Sequence, residues 1–130
     1  MDITDIFEGF KPFNFEEGIP YVSVTKNGVT FNKAVIMKLD YPEYIQLLIN
    51  ENTKQIVVLP CTKDTLNATP FYKEKKNNVL SVRFNGRDFL STLASMMEWN
   101  LDLEAFRIEG SLIKDRKAML FDFKDAVMML

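Results

Sequence analysis

Polar and apolar residues first alternate just after residue 20. Over 20–26, Val22 and Val24 alternate with Ser23 and Thr25, the period of two that marks a half-buried strand. Asn27-Gly28 follows, a pair that tolerates positive φ and predicts a tight hairpin into a second strand over 29–31. Asn32 predicts a helix cap, and Val35, Ile36 and Leu39 fall on one face of a short helix over 33–39. Asp40-Tyr41-Pro42 predicts its end, because proline disfavours helix in the residue before it. Ile45, Leu47 and Ile49 share one face of the next strand. Beyond the polar turn Asn52-Thr53-Lys54, Ile56-Val57-Val58-Leu59 is apolar on both faces, which predicts a central strand.

The same order returns in the second half. Pro70-Phe71 answers Pro20-Tyr21, Asn77-Asn78 answers Asn27-Gly28, and Phe84-Asn85 answers Phe31-Asn32. Strands are predicted over 70–75 and 79–84. Asn85 predicts a cap for a longer helix, with Asp88 supporting its first turn. Phe89, Leu90, Leu93, Ala94 and Met97 form that helix's core stripe. Phe106, Ile108 and Leu112 then alternate with polar residues, Lys114-Asp115-Arg116 predicts a turn, and Met119, Phe121 and Phe123 form the last inner face. The division is an arm over 1–18, repeat one over 19–61, a linker over 62–69, and repeat two over 70–130. Such a duplication predicts one compact, pseudo-two-fold body of mainly β (α+β) class with two short helices.

Composition supports a single folded unit. The chain has 130 residues, 47% of them hydrophobic and 12% aromatic, which is ample for a core. No apolar run reaches the roughly 20 residues that cross a bilayer, and acidic Asp2 and Asp5 stand where a signal peptide is basic. The lone Cys61 excludes an internal disulfide, and the expectation is a cytoplasmic chain with a structural thiol. The net charge of −2 is uneven: the arm carries Asp2, Asp5, Glu8, Glu16 and Glu17 against Lys11, while the repeats are near neutral. Phe7, Phe10, Phe13 and Phe15 in the arm predict cover for apolar surface of the body, or a partner-binding or self-association segment. The terminal Ala126-Val127-Met128-Met129-Leu130 predicts packing into the core or a contact between copies.

The β-turn-β-helix-β-turn-β unit resembles the AbrB/MazE-type swapped-hairpin domain of bacterial transition-state regulators and antitoxins. The resemblance rests on Gly28, the strand "VTF" after it, the helix ending in Leu39, and the strands "YIQLLINEN" and "QIVVLPC". It covers most of 19–61 and, more weakly, 70–123. It implies interleaved hairpins from two units forming one DNA-binding barrel, here with both units in a single chain. The chain also resembles small bacterial proteins of this tandem kind. The family places a basic residue after the turn glycine and a proline at that strand's end, whereas this chain has Val29 and Asn32. Repeat two has Asn78 in place of Gly28.

Catalysis finds little support in the residues. There is no histidine, no glycine-rich phosphate loop and no activated thiol. Glu43, Glu51, Asp88, Asp102 and Glu104 stand beside turns or helix starts, where carboxylates are solvated or capping. Neither a cofactor nor a metal is implied. The cationic residues offer a DNA-binding set: Lys26, Lys33 and Lys38 in repeat one, with Lys73, Lys75, Lys76, Arg83 and Arg87 in repeat two. Asn27, Asn77 and Asn78 are candidates for base or backbone contacts. The expected function is that of a DNA-binding transcriptional regulator. The alternative is a non-enzymatic protein-interaction module, antitoxin-like or structural and without DNA binding, that uses the acidic, Phe-rich arm and the apolar C-terminus; MazE-like antitoxins grip a toxin with an acidic arm after the barrel.

Overall fold

The computed structural model describes residues 6–10, 12, 18–74, 80–113, 115 and 117–129. Within them the chain is mainly β, with two helices. The elements are β1 (Tyr21–Thr25), β2 (Gly28–Phe31), α1 (Lys33–Lys38), β3 (Tyr44–Asn50), β4 (Gln55–Cys61), β5 (Thr69–Pro70), β6 (Val82–Phe84), α2 (Arg87–Met97), β7 (Ala105–Ile113), β8 (Ala118–Asp122) and β9 (Val127–Met129). A 3-10 turn, Phe123–Asp125, separates β8 from β9.

All the pairings are antiparallel, and one sheet runs in the order β5-β3-β4-β8-β7-β1-β2-β6, with β9 added beside β7. The sheet curls so that its inner face meets itself. The Phe31 ring of β2 lies 5.5 Å from Phe71 just beyond β5, 5.9 Å from Phe84 on β6 and 5.7 Å from Phe121 on β8. Phe71 and Phe84, at the two ends of the strand order, are 6.2 Å apart. Aromatic packing thus brings the sheet's ends together. Val22, Val24, Val29, Ile45, Ile56, Val58, Ile108, Met119 and Phe123 fill the same core, with Val35, Ile36 and Leu93 from the helices. The expected apolar faces of the strands around Val22 and Met119, and of α1, are therefore inside. Ile49, expected to share a face with buried Ile45, is exposed near the tip of the β3–β4 hairpin.

Local chemistry accounts for the element ends. The Asn32 carboxamide oxygen accepts from the Val35 amide (3.3 Å) and the Tyr21 amide (3.0 Å), and its Nδ2 donates to the Ile19 carbonyl (2.9 Å). One side chain therefore caps α1 and anchors the start of β1. Both helices end in a Schellman motif. After α1 the Asp40 amide donates to the Met37 carbonyl and the Tyr41 amide to Ile36; after α2, Glu98 donates to Ser95 and Trp99 to Ala94. Asp40 and Glu98 hold the left-handed position, with φ of 61° and 57°. Asp122 caps the 3-10 turn through the Lys124 amide, and Lys124 bridges to Asp122 (3.1 Å) and to the Thr53 carbonyl (2.6 Å). Burial pushes the Asp122 carboxyl up. The hydrogen bonds and charge of Lys124, with a hydrogen bond from Gln55, outweigh it and hold that carboxyl below its ordinary range.

Several expectations need correcting. The hairpin loop is Lys26-Asn27, with Thr25 opposite Gly28 and a φ of +148° at Gly28. A Cβ on Gly28 would lie 2.9 Å from the Phe84 carbonyl oxygen, so the close approach of β6, beyond the turn itself, demands glycine. The strand expected over 70–75 is reduced to Thr69–Pro70. Phe71 and Tyr72 still donate to the Glu43 and Pro42 carbonyls, but on consecutive residues instead of alternate ones, so the regular ladder has ended. The strand expected over 79–84 is Val82–Phe84, and residues 75–79 lie outside the described residues. Gly86, not Asn85, is the N-cap of α2, without a side-chain hydrogen bond. Leu93 alone of the α2 stripe is wholly buried; Phe89, Leu90 and Met97 are partly so. Phe7 and Phe10 are exposed and pack edge-on against each other at 6.2 Å instead of covering the body. Phe13 and Phe15 lie outside the described residues. The apolar C-terminal run pairs with β7 as β9, yet Val127 and Met128 keep their side chains exposed.

Candidate nucleic-acid interface

The crossing of β2 and β6 sets the geometry of the cationic residues. Val29 and Phe31 point inward from β2 and Val82 from β6, so alternation turns Thr30 and Arg83 outward. These two are register partners, and the Arg83 guanidinium donates from Nε to the Thr30 hydroxyl at 3.2 Å. Asn32 and Lys33 leave one end of β2, and Asn85, Gly86 and Arg87 leave the opposite end of the antiparallel β6. Lys33 and Arg87 are the first residues of α1 and α2, and both are exposed. Lys33, Arg83 and Arg87 are thus arranged about one two-stranded crossing.

The other candidates are placed differently. Lys26, in the β1–β2 loop, shares an open cleft of about 440 Å3 with Asn27, Leu101, Asp102, Leu103, Glu104 and Met129. Two carboxylates therefore face it. Lys38 closes α1, is half-buried and is engaged within the chain. Lys73 lies beyond β5, in a cleft of about 520 Å3 lined by Tyr41, Glu43, Tyr44, Pro70, Tyr72 and Glu74. Lys75 and Lys76, with Asn77 and Asn78, lie outside the described residues.

No protein-family model, curated protein or solved structure matches the chain. Among the described residues no helix is long and apolar enough to cross a membrane, and no group of three or more Cys, Asp or Glu side chains is placed to hold a metal ion. Cys61, at the end of β4, is half-buried with a free thiol. Arg107 was not among the sequence candidates, and its guanidinium lies 4.9 Å above the Tyr21 ring. The three-tyrosine cleft was also missed. Its signals were Tyr41 and Tyr44 around Pro42-Glu43, and Tyr72 after Pro70-Phe71, which read as turn residues and strand ends rather than as one lining.

Proposed function

We propose that the chain is a tandem duplication folded as a swapped-hairpin-like pseudo-two-fold barrel, and that it acts as a non-enzymatic, DNA-binding regulator of AbrB-like type. The duplication is supported by the pairing scheme. The β3–β4 hairpin lies beside β7–β8 through the β4–β8 pair; β1 lies on β7 as β5 lies on β3; and β2 pairs with β6. Each half therefore lends its first strand to the other. The hairpin loops agree as well. Residues 51–54 and 114–117 each end in a left-handed lysine, Lys54 (φ 59°) and Lys117 (φ 49°). Matching those loops aligns buried Ile45, Ile56 and Val58 with buried Ile108, Met119 and Phe121.

The observation that carries the DNA reading is the exposed Arg83–Thr30 crossing with Lys33 and Arg87 on either side. A pseudo-axis through β2–β6 relates those two helix starts, as the approach to both strands of a duplex requires. Cations there neutralise phosphates and release counterions. Replacing Lys33, Arg83 and Arg87 together by alanine should weaken binding to all duplex sequences. It should also flatten the slope of log affinity against log salt by about 0.9 per lost phosphate contact, nearly three in all. Fluorescence anisotropy on random and genomic duplexes measures both. Wild-type protein that fails to bind duplex DNA at low salt removes this reading.

A second reading, an interaction module, is favoured by the exposure of Phe7, Phe10, Val127 and Met128. It expects deletion of residues 1–18 to abolish recovery of a protein partner and leave the melting temperature unchanged.

A further inference from the structure

The cleft around Tyr72 has features that DNA binding does not use. Its walls are the segments 41–44 and 70–74, held together by the Tyr44–Pro70 pairing, the Phe71 amide on the Glu43 carbonyl (2.8 Å) and the Tyr72 amide on the Pro42 carbonyl (3.0 Å). Tyr41 has a left-handed φ of 53° directly after left-handed Asp40, an uncommon state for a bulky side chain. Such outliers persist where the surroundings impose them and gather at binding sites. The Tyr41 ring meets the Tyr72 ring at 5.3 Å and 62°. The rings make a corner rather than a flat platform, so a planar base or a sugar ring cannot stack on both. Tyr44 also lines the cleft, and the exposed Glu43 and Glu74 carboxylates outnumber Lys73 there.

The geometry points to a binding site for an organic cation of the alkylammonium class, held by the tyrosine faces and steered by Glu43 and Glu74. A ring's π-face attracts a cation, most strongly one with a diffuse, weakly hydrated charge. The molecule carries its own control. The cleft beside the β1–β2 loop has Asp102 and Glu104 with Lys26, the same kinds of charge, but no tyrosine. Carboxylate attraction alone would fill both clefts; the aromatic corner selects one.

The test titrates the full-length chain with choline and with its neutral isostere 3,3-dimethylbutanol, read by amide and aromatic NMR. Choline should give saturable shifts at 41–44 and 70–74, with none at 101–105 and a weak response to the alcohol. Tyr41→Ala should weaken choline binding roughly 2- to 30-fold, the span of one cation–π contact. Tyr72→Phe, which keeps the ring, should bind as wild type does. Lys73→Gln, which removes a competing cation, should bind more tightly. The exposed pair Glu43→Gln with Glu74→Gln should weaken binding several-fold, and it serves as the deciding variant if Tyr41→Ala fails to fold. A trimethyl-lysine peptide that binds more tightly than choline identifies a protein side chain as the source; the reverse order identifies a free small cation. Equal response to the neutral alcohol, equal shifts at the Asp102–Glu104 cleft, or no saturable choline shift would overturn the assignment.

Discussion

Gly110 shows how closely the core of this molecule is filled. It sits in β7 opposite Phe121, and its amide donates to the Pro20 carbonyl at 2.9 Å. A Cβ there would lie 2.8 Å from the Met119 sulfur and 2.8 Å from the Phe121 ring. Both side chains are wholly buried and have nowhere to retreat. Gly110→Ala should therefore destabilise the protein by about 1–3 kcal/mol, the usual cost of overpacking, in a denaturant melt. A midpoint equal to wild type would show that Met119 can move aside. Gly86 is the contrasting case: nothing lies within 4 Å of a Cβ there, so alanine meets no clash. In the sequence Gly110 is one glycine within an alternating strand. Only the tertiary contact gives it its role.

At the scale of elements, the two helices end in the same way with an unfavourable residue. Asp40 and Glu98 occupy the left-handed position that glycine usually fills. A side chain in that conformation costs roughly 1–2 kcal/mol relative to glycine. Part of that gain is offset because glycine gives the unfolded chain more freedom. Asp40→Gly and Glu98→Gly should each raise stability by about 0.5–1 kcal/mol. Differential scanning calorimetry decides it; a loss of stability in either variant would mean that the carboxylate has a compensating partner. Helix α1 was legible because Asn32, Val35, Ile36 and Leu39 keep local spacing. The strand expected over 70–75 was not, because its length depends on how far the distant segment 42–45 keeps a regular ladder with it.

At the scale of the whole molecule, neither half can complete its own sheet. β1 needs β7, β2 needs β6, and β4 needs β8, and each partner lies in the other half. Fragments 1–66 and 67–130 should each lack cooperative unfolding by circular dichroism, and should gain a melting transition when mixed. A half that melts cooperatively by itself would contradict the proposed interleaving of the two halves. The proposed duplication reads in the sequence as an order of turns and strands, and the strand pairing proposes a different matching of positions. Pro70-Phe71 matches Pro20-Tyr21 by residue type. Matching the hairpin loops instead sets Pro70 opposite Tyr44 in the place where Ser23 faces Arg107. A one-dimensional comparison weighs residue type, while strand register is set by which face is buried and by turn geometry.

What the sequence determined by itself is local. Alternation at Val22 and Val24, the cap at Asn32, the helical spacing of Val35, Ile36 and Leu39, and the doubly apolar run at Ile56–Leu59 each follow from neighbours a few residues away. What the tertiary structure decided is which distant segments meet. Lys33, Arg83 and Arg87 come to one crossing, Lys26 and Lys73 face carboxylates, and three tyrosines from two segments share one cleft. Those placements depend on long-range strand pairing, whose register is set by burial of the whole inner face. No window of the chain contains that information.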